Sequence, residues 1–439
     1  MTEPKGFASL KEFVESTQSV KPKMFLRRPE SKVANENAFA EMQNHILSLY
    51  ENTEALNSFM DESGAVYDCI PVEQQPSLRG LKGRVPVAPD APQLEAVGGP
   101  EAPYKDILAA SPLATDKKDR FGNAMHCPEG AIPMRRVTME DLTRFGTLRD
   151  FFRKGPGGAG RPPRAGEPPM VPVTGQTLKA QECQATLQAS ELPTVQATHR
   201  WAHAFQNVSN SGGHSFLSIH EPPIDPDQVF SLSQHWYVGG SGANLQTLEC
   251  GWQVYPAMYG DTKPHLFTYW TADDYNTTGC YNLTCNAFVQ TSNVIAPGMV
   301  VGPVSVVGGP QYNMELAYWH TDGRWWLYYN GTSGSNAIGF YPDSLYQGGA
   351  LTGNASEIDY GGETVGTITF PPMGSGYFAE EGWQKAAFQR TIAYYTPQAM
   401  VNANLTPSQA WPNCYTAKIE MFGSPWFETL WYGGPGGNC

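Results

Sequence analysis

One acidic residue in the second half of the chain stands in a pattern that could support acid–base chemistry. Glu249 lies in the run 247–255, which reads as a β-strand. The period of two residues in a strand places Glu249, Gly251, Gln253 and Tyr255 on one face. That face would offer a carboxylate, a gap at the glycine, an amide and a phenol. The pattern predicts a cleft in which a substrate backbone could lie close to the carboxylate.

A second glutamate, Glu363, directly follows Gly361 and Gly362. Glycine has no side chain, so the backbone here could also approach a ligand closely. Two nearby carboxyl groups can share one proton and divide the roles of acid and base between them. A glutamate in a strand more commonly faces solvent at a sheet edge, since charged residues are rarely buried without a partner. From these residues alone, both interpretations stay open.

Other catalytic signatures are missing from the sequence. It contains no G-x-S-x-G, H-E-x-x-H or phosphate-binding glycine motif, and its cysteines and histidines lack zinc spacing. We therefore predict no metal and no cofactor. Gln234 and Gln290 are expected at the surface rather than in a site.

The charge of the 439-residue chain is formally -13 and very unevenly distributed. Residues 1–200 carry 24 Lys+Arg and 25 Asp+Glu, whereas residues 201–439 carry 5 and 17. The lack of a basic stripe argues against a nucleic-acid partner, and the lack of a long apolar run argues against a membrane partner. The second half is acidic and has few cations, so the repulsion among its carboxylates weakens as they become protonated at lower pH. This composition favours a protein that works in acid.

The chain divides into three parts by composition. We predict a smaller, mostly helical part at 1–154, a Pro/Gly-rich linker at 155–196 and a β part at 197–439. The β part has short aromatic and β-branched runs separated by Gly, Asn and Asp, which is typical of an antiparallel β-sandwich. The overall fold class is therefore mainly β. Helical spacing from Phe39 to Tyr50 and a capping box at Thr138 predict two of the N-terminal helices.

Eight cysteines and six N-x-Ser/Thr sequons are typical of an extracellular, oxidising compartment. Cys280 and Cys285 bracket a short loop and could pair locally. A bond from Cys414 to Cys439 would hold the Gly-rich C-terminus. The chain begins without a signal peptide, so we expect secretion either with the signal removed or by another route.

Five segments together resemble the neprosin family of glutamic peptidases. They are Phe230–Gln234, Glu249–Pro256, Leu266–Thr271, Thr278–Leu283 and Gly361–Glu363. The resemblance extends over about 200–439.

The N-terminal part is similar to the activation peptide of the same family. The similarity lies in Tyr67–Ile70, Gln75–Pro76 and His126–Pro133. It implies that Cys69 and Cys127 lie in a pro-segment and pair with each other. Residues 1–154 would then be an intramolecular inhibitor, and the linker would contain the activation cleavage site.

The resemblance also implies an activity. Members are β-sandwich endopeptidases that cut after proline, work in acid and are made as zymogens, so the partner would be a proline-containing peptide or protein. The two catalytic glutamates of the family fall on Glu249 and Glu363. Cys250 departs from the small residue that is usual beside the first of them.

Four further residues are candidates for contact with substrate. Gln253 or Tyr255 could hold water or the oxyanion, and Trp252 or Tyr269 could form a shallow pocket for proline. Two rival functions also fit a β-sandwich with carboxylates and aromatic rings. These are a glycoside hydrolase and a carbohydrate-binding module.

Overall fold

The computed structural model describes residues 4–79, 85–95, 99–104, 107–110, 117–156 and 197–439. The predicted linker at 155–196 therefore lies outside the described residues, except for Gly155 and Pro156. Cys183 lies outside them too.

The described residues form five α-helices and twenty β-strands. The helices are α1 (Leu10–Ser19), α2 (Glu36–Leu49), α3 (Met139–Thr143), α4 (Leu148–Phe152) and α5 (Pro256–Tyr259). The strands before the linker are β1 (Asn57–Met60), β2 (Val66–Pro71), β3 (Ile107–Ala109) and β4 (Ala131–Arg135). The strands after it are β5 (Thr198–Asn210), β6 (Gly212–Ser218), β7 (Gln228–Gly239), β8 (Gln246–Val254), β9 (His265–Thr271), β10 (Cys280–Tyr281), β11 (Val289–Gln290), β12 (Gln311–Thr321), β13 (Arg324–Tyr329), β14 (Ala337–Pro342), β15 (Ala355–Gly366), β16 (Ala387–Tyr395), β17 (Met400–Asn402), β18 (Thr406–Gln409), β19 (Thr416–Met421) and β20 (Glu428–Gly433).

Two large sheets pack face to face and confirm the mainly β fold. The first has seven strands in the order β10-β9-β8-β7-β15-β5-β18, and the second runs β11-β14-β13-β12-β6-β16-β20-β19 with β3 and β17 attached. Side chains from the inner faces interlock between the sheets. Trp252 donates from its indole to the Ser218 carbonyl of the second sheet, and the amide of Gln389 donates back to Ser233 of the first.

The N-terminal part differs from the mostly helical expectation, because it also contains the antiparallel sheet β1-β2-β4. The Val66–Pro71 run is β-branched, aromatic and almost wholly buried, and these properties favour a strand. The predicted face of α2 is confirmed, with Phe39, Met42 and Ile46 buried. The capping box of Thr138 and Asp141 is also present at the start of α3.

Three disulfide bonds confirm the predicted pairs. They join Cys69 to Cys127, Cys280 to Cys285 and Cys414 to Cys439. Cys250 is a buried free thiol, and burial raises its pKa well above the usual value. None of the helices in the described ranges is long and apolar enough to cross a membrane.

The part before the linker contacts the sandwich at both sheets. Beside the first sheet, Arg144 donates to the carbonyl of Ala257 at 2.7 Å, and Tyr67 donates to that of Gly298 at 3.0 Å. On the second sheet, β3 pairs in parallel with β12. The two parts are thus held together at sites far apart on the molecule.

Candidate active site

Strand register brings the two predicted catalytic glutamates onto one face of the seven-stranded sheet. Glu249 on β8 stands opposite Trp236 of β7, and Glu363 on β15 stands opposite Leu232 of the same strand. Residues directly opposite in a sheet share a face, so both carboxylates point to the outer side of the sandwich. Gln234 lies on this face of β7, between the two glutamates.

A row of small residues crosses the floor of the site. Gln234 is flanked by Gly251 on one neighbouring strand and Gly361 on the other. A Cβ at Gly251 would lie 1.9 Å from the carbonyl oxygen of Ser233, so only glycine lets β7 and β8 pair here. The gap predicted at Gly251 is therefore a real feature of the face that carries Glu249.

Lys154 joins the two glutamates. Its ammonium contacts Oε2 of Glu249 and lies 2.7 Å from Oε2 of Glu363. All three side chains are at most 1 % exposed. The same ammonium lies 5.0 Å from the centre of the Trp236 ring, a cation–π arrangement. Lys154 follows α4, so a residue from the N-terminal part occupies the site between the carboxylates.

The other oxygen of Glu249 accepts hydrogen bonds from two hydroxyl groups. Tyr275 donates to it at 2.6 Å and Thr247 at 2.8 Å. Burial and the negative charge of Glu249 raise the pKa of Tyr275 well above its usual value, so this phenol stays a donor. Glu249 is thereby fixed in position by groups that remain when Lys154 is absent.

Glu363 has a histidine as its second partner. Nδ1 of His199 lies 2.5 Å from Oε1 of Glu363, and the amide of Gln234 lies 3.4 Å from Oε2. Burial tends to raise the pKa of Glu363, but Lys154 and His199 outweigh it and hold the pKa below its usual value. Nε2 of His199 is 3.2 Å from the carbonyl oxygen of Pro156. A third carboxyl on this face of β15, Asp359, pairs with His203 at 2.8 Å.

The four candidate substrate residues occupy different environments. Tyr269 stands opposite Glu249 on the same face and packs 4.8 Å from the ring of Tyr281. Gln253 shares that face, but its amide donates to another side chain, the hydroxyl of Tyr259. Trp252 points the opposite way, into the core between the sheets. Its position does not support the expectation that it lines a pocket at the cleft.

Tyr255 lies just beyond the end of β8 and is buried under the N-terminal part. Its ring is 5.3 Å from that of Phe230 and 6.2 Å from that of Phe145. Within the described part of the chain, no hydrogen bond joins Tyr255 to Glu249 or Glu363.

Three polar residues of the site were missed by sequence reasoning. Lys154 and His199 stand at the two borders of the linker, and the expected surface residue Gln234 is fully buried beside Glu363. Lys154 is a single cation in an Arg/Lys-rich stretch and carries no distinctive signal. Gln234 could have been predicted from the sequence, because it belongs to one of the family segments named above and alternates with buried apolar residues.

Comparison with known proteins identifies one matching family. The family model described as Neprosin matches residues 227–435, a range that includes Glu249 and Glu363. The resemblance to the neprosin family is thereby confirmed over this part of the chain. The match supports a hydrolase of the peptidase class. Lys154 and His199 lie outside the matched range.

Solved structures with some similarity include two glutamic peptidases. Scytalido-glutamic peptidase with a transition state analog inhibitor is 12% identical with a TM-score of 0.30, covering 54% of this chain and 98% of that one. SCP-B, a member of the Eqolisin family in complex with the tripeptide Ala-Ile-His, is 9% identical with a TM-score of 0.28 and the same coverage.

Proposed function

We propose that this protein is a secreted, acid-active glutamic endopeptidase that cleaves after proline and is made as a self-processing zymogen. One observation carries the proposal. Two buried carboxylates from strands that are not neighbours converge on a single ammonium group. The three disulfides are consistent with an oxidising compartment.

In the proposed reaction Glu363 is the base and Glu249 the acid. With Lys154 gone, a water molecule takes its place between the carboxyl groups. The Glu363 carboxylate removes a proton from the water as the water oxygen attacks the scissile carbonyl carbon. Protonated Glu249 donates a hydrogen bond to the carbonyl oxygen as negative charge develops there. The proton held by Glu363 passes to the leaving nitrogen as the C–N bond breaks.

We assign the role of each glutamate from the hydrogen-bond partners that it keeps after Lys154 has left. His199 lowers the pKa of Glu363 and so favours the charged form of that carboxyl. The hydroxyl donors on Glu249 carry no charge, so we assign the role of the acid to Glu249. Gln234 lies between them and can donate to the tetrahedral intermediate. Its Oε1 has no hydrogen-bond partner among the described residues.

Specificity for proline is assigned to the aromatic side of the cleft. The Tyr269 ring lies beside Glu249 and packs 6.0 Å from Tyr275 and 4.8 Å from Tyr281. These rings form a rigid apolar wall that suits a flat pyrrolidine ring. Replacing proline by alanine before the scissile bond should lower kcat/KM, and the Tyr269→Ala variant should reduce that preference.

We attribute the inactivity of the full-length chain to the segment that follows α4 and enters the cleft. Lys154 fills the position of the attacking water and neutralises the carboxylates. The pKa of Glu363 in this closed form lies below its usual value, so the open form binds the proton more readily. The closed form therefore has its full stability above the usual carboxyl pKa and loses it as pH falls toward the lowered value. Acid thus favours opening.

The test compares Glu249→Gln and Glu363→Gln with Glu221→Gln, an exposed glutamate outside the site. Each chain is incubated at acid pH with a proline-containing peptide and, separately, with a panel of polysaccharides. We expect peptide cleavage by the wild type and by Glu221→Gln only. Removing one acid–base group should reduce the rate by a factor of about 10²–10⁴, while the chain still folds.

Two results would contradict the proposal. Near-wild-type cleavage by either cleft variant would exclude the carboxyl pair as the catalytic machinery. Hydrolysis of a polysaccharide without cleavage of the peptide would instead assign the pair to a glycoside hydrolase.

A further inference from the structure

Tyr104 is partly buried and packs among aromatic rings on the side of the molecule opposite the cleft. Trp383 stacks on it at 5.1 Å, and Trp426, Trp431 and Phe422 approach it at 4.8, 5.4 and 5.6 Å. We call these four rings around Tyr104 the aromatic box. The described contacts within the N-terminal part and the cleft do not involve it, so neither the fold of that part nor the proposed chemistry explains it.

The aromatic box belongs to the outer face of the ten-stranded sheet. Trp431 on β20 stands opposite Phe388 on β16, whereas the next residue, Gln389, points inward to Ser233 of the other sheet. Lys418 and Glu420 of β19 flank the box, and the Glu420 carboxylate accepts from the Trp431 indole at 2.7 Å. The cleft lies on the outer face of the seven-stranded sheet, so the two sites are on opposite sides of the sandwich.

A short extended peptide brings Tyr104 into the box. It runs from Gly99 to Tyr104 with the sequence Gly-Pro-Glu-Ala-Pro-Tyr. The Gly423 amide donates to the Pro100 carbonyl at 2.7 Å, and Ala102 is only 6% exposed beneath it. The structure thus shows the box occupied by a tyrosine that follows a proline-containing stretch of the chain.

Removal of the N-terminal part would take this tyrosine away. The rings of the box, together with Phe388, would then form a contiguous exposed aromatic patch. Such patches are rare on soluble proteins and generally mark a binding site. The rings are held by β16, β20 and loops that belong to the sandwich, so the box stays formed when the tyrosine leaves.

We propose that the aromatic box is a second substrate-binding site of the processed enzyme. It takes a tyrosine in an extended, proline-containing stretch of the substrate polypeptide, at a distance from the bond that is cut. This inference rests on the proposed function, because the box becomes free only when the N-terminal part is released.

The first test uses the full chain and needs no processing. In the Tyr104→Ala variant, the probe N-acetyl-tyrosinamide should quench or shift tryptophan fluorescence, while the wild-type chain, whose box is filled, should not respond. Adding Trp383→Ala to Tyr104→Ala should weaken binding by about tenfold, as expected for loss of one aromatic pair. Trp411→Ala, a tryptophan outside the box, is the matched control.

The second test uses the acid-processed product of the wild-type chain at neutral pH, after its separation from the released N-terminal part. A synthetic peptide with the sequence of residues 99–104 should bind it, and the same peptide with alanine in place of tyrosine should not. In acid, a long substrate that carries this sequence away from the cut should show a lower KM than a short one. Trp383→Ala should abolish that difference and leave cleavage of the short substrate unchanged.

Each of the following results would support or overturn the proposed second binding site. If neither the Tyr104→Ala chain nor the processed product binds its probe, the box is not a receptor and the proposal is wrong. If the linker is cut but residues 99–104 stay in the box, it is a permanent anchor, which also overturns the proposal. Binding by Tyr104→Ala in a chain without peptidase activity would support the receptor and refute the proposed enzyme.

Discussion

At the scale of single residues, the site is a small set of buried charges that must compensate one another, because water does not solvate them. Two carboxylates face one ammonium and one imidazole, all of them buried. Breaking a buried ion pair by removing one partner costs about 3–5 kcal/mol, because the other charge is left uncompensated. Lys154 is therefore the residue on which the stability of the closed form depends most.

Replacing Lys154 by methionine should make processing less dependent on acid. The variant keeps most of the side-chain volume but loses the charge, so the closed form should be destabilised by an amount on the order of 3–5 kcal/mol. We expect conversion to the short form to begin at a higher pH than in the wild type, measured by gel electrophoresis after incubation across a pH series.

The matched control for this variant is Arg153→Met, which removes the neighbouring, partly exposed cation. Arg153 pairs only with Asp150 among the described residues, at 3.7 Å. Its loss should leave the pH of conversion where it is. Equal behaviour of the two variants would show that the charge of Lys154 is not what holds the cleft closed.

Replacing His199 by asparagine should move the acid limb of the pH profile. Without the imidazolium, the pKa of Glu363 rises, so a smaller fraction of the base is ionised at any acid pH. We expect the acid limb of kcat/KM to shift upward by about one pH unit, since an adjacent opposite charge typically shifts a carboxyl pKa by 1–3 units.

The control for the pH profile is His320→Asn, because His320 pairs with Asp343 away from the cleft. Its profile should match that of the wild type. A profile of His199→Asn that keeps its shape and falls evenly at every pH would mean that His199 serves only to pack the site.

At the scale of elements, the amino-acid pattern predicts local structure well and long-range pairing poorly. The run from Leu266 to Trp270 and the run from Trp325 to Tyr329 are strands as expected, and the period of two correctly places Glu249 and Gly251 on one face. That β7 lies between the strands of the two glutamates depends on contacts more than a hundred residues apart. Local propensity does not encode such an order.

Changing Gly251 to alanine should damage both stability and activity. The added Cβ would meet the backbone of β7, which cannot move as a flexible side chain would. Forcing an atom into a packed interior typically costs about 1–3 kcal/mol. We expect a lower unfolding temperature and a large loss of kcat, because Glu249 is displaced relative to Glu363.

Gly353→Ala provides the comparison, since a Cβ there would have no neighbour closer than 4.0 Å. It should unfold close to the wild-type temperature. A Gly251→Ala protein with normal stability and activity would show that the close approach of β7 and β8 is not required.

At the scale of the whole molecule, the N-terminal part reaches both outer faces of the sandwich, through Lys154 and Tyr104, and no disulfide between described residues joins it to the sandwich. The Cys69–Cys127 bond lies before the linker, and the other two bonds lie after it. Among the described pairs, none therefore ties the two parts together. Their association rests on hydrogen bonds, packing and the ion pairs of Lys154.

Acid incubation should convert the 48.1 kDa chain into a fragment that begins between about 157 and 197. Under the proposed specificity, the prolines at 162, 163, 168, 169 and 172 are the expected cleavage positions. N-terminal sequencing after acid and neutral incubation checks this. Glu363→Gln should stay at full length, and a fragment starting outside this span would contradict a cut in the linker.

The contact of Pro156 with His199 brings the described residues on either side of the 157–196 segment together beside Glu363. While that segment is uncut, the proposed inhibitor is tethered, at an effective concentration on the order of millimolar. After a single cut in this segment, the N-terminal part and the sandwich are separate molecules, so their association becomes bimolecular. Reinhibition then depends on how much protein is present, so activation should be reversible in a concentrated sample and permanent after dilution.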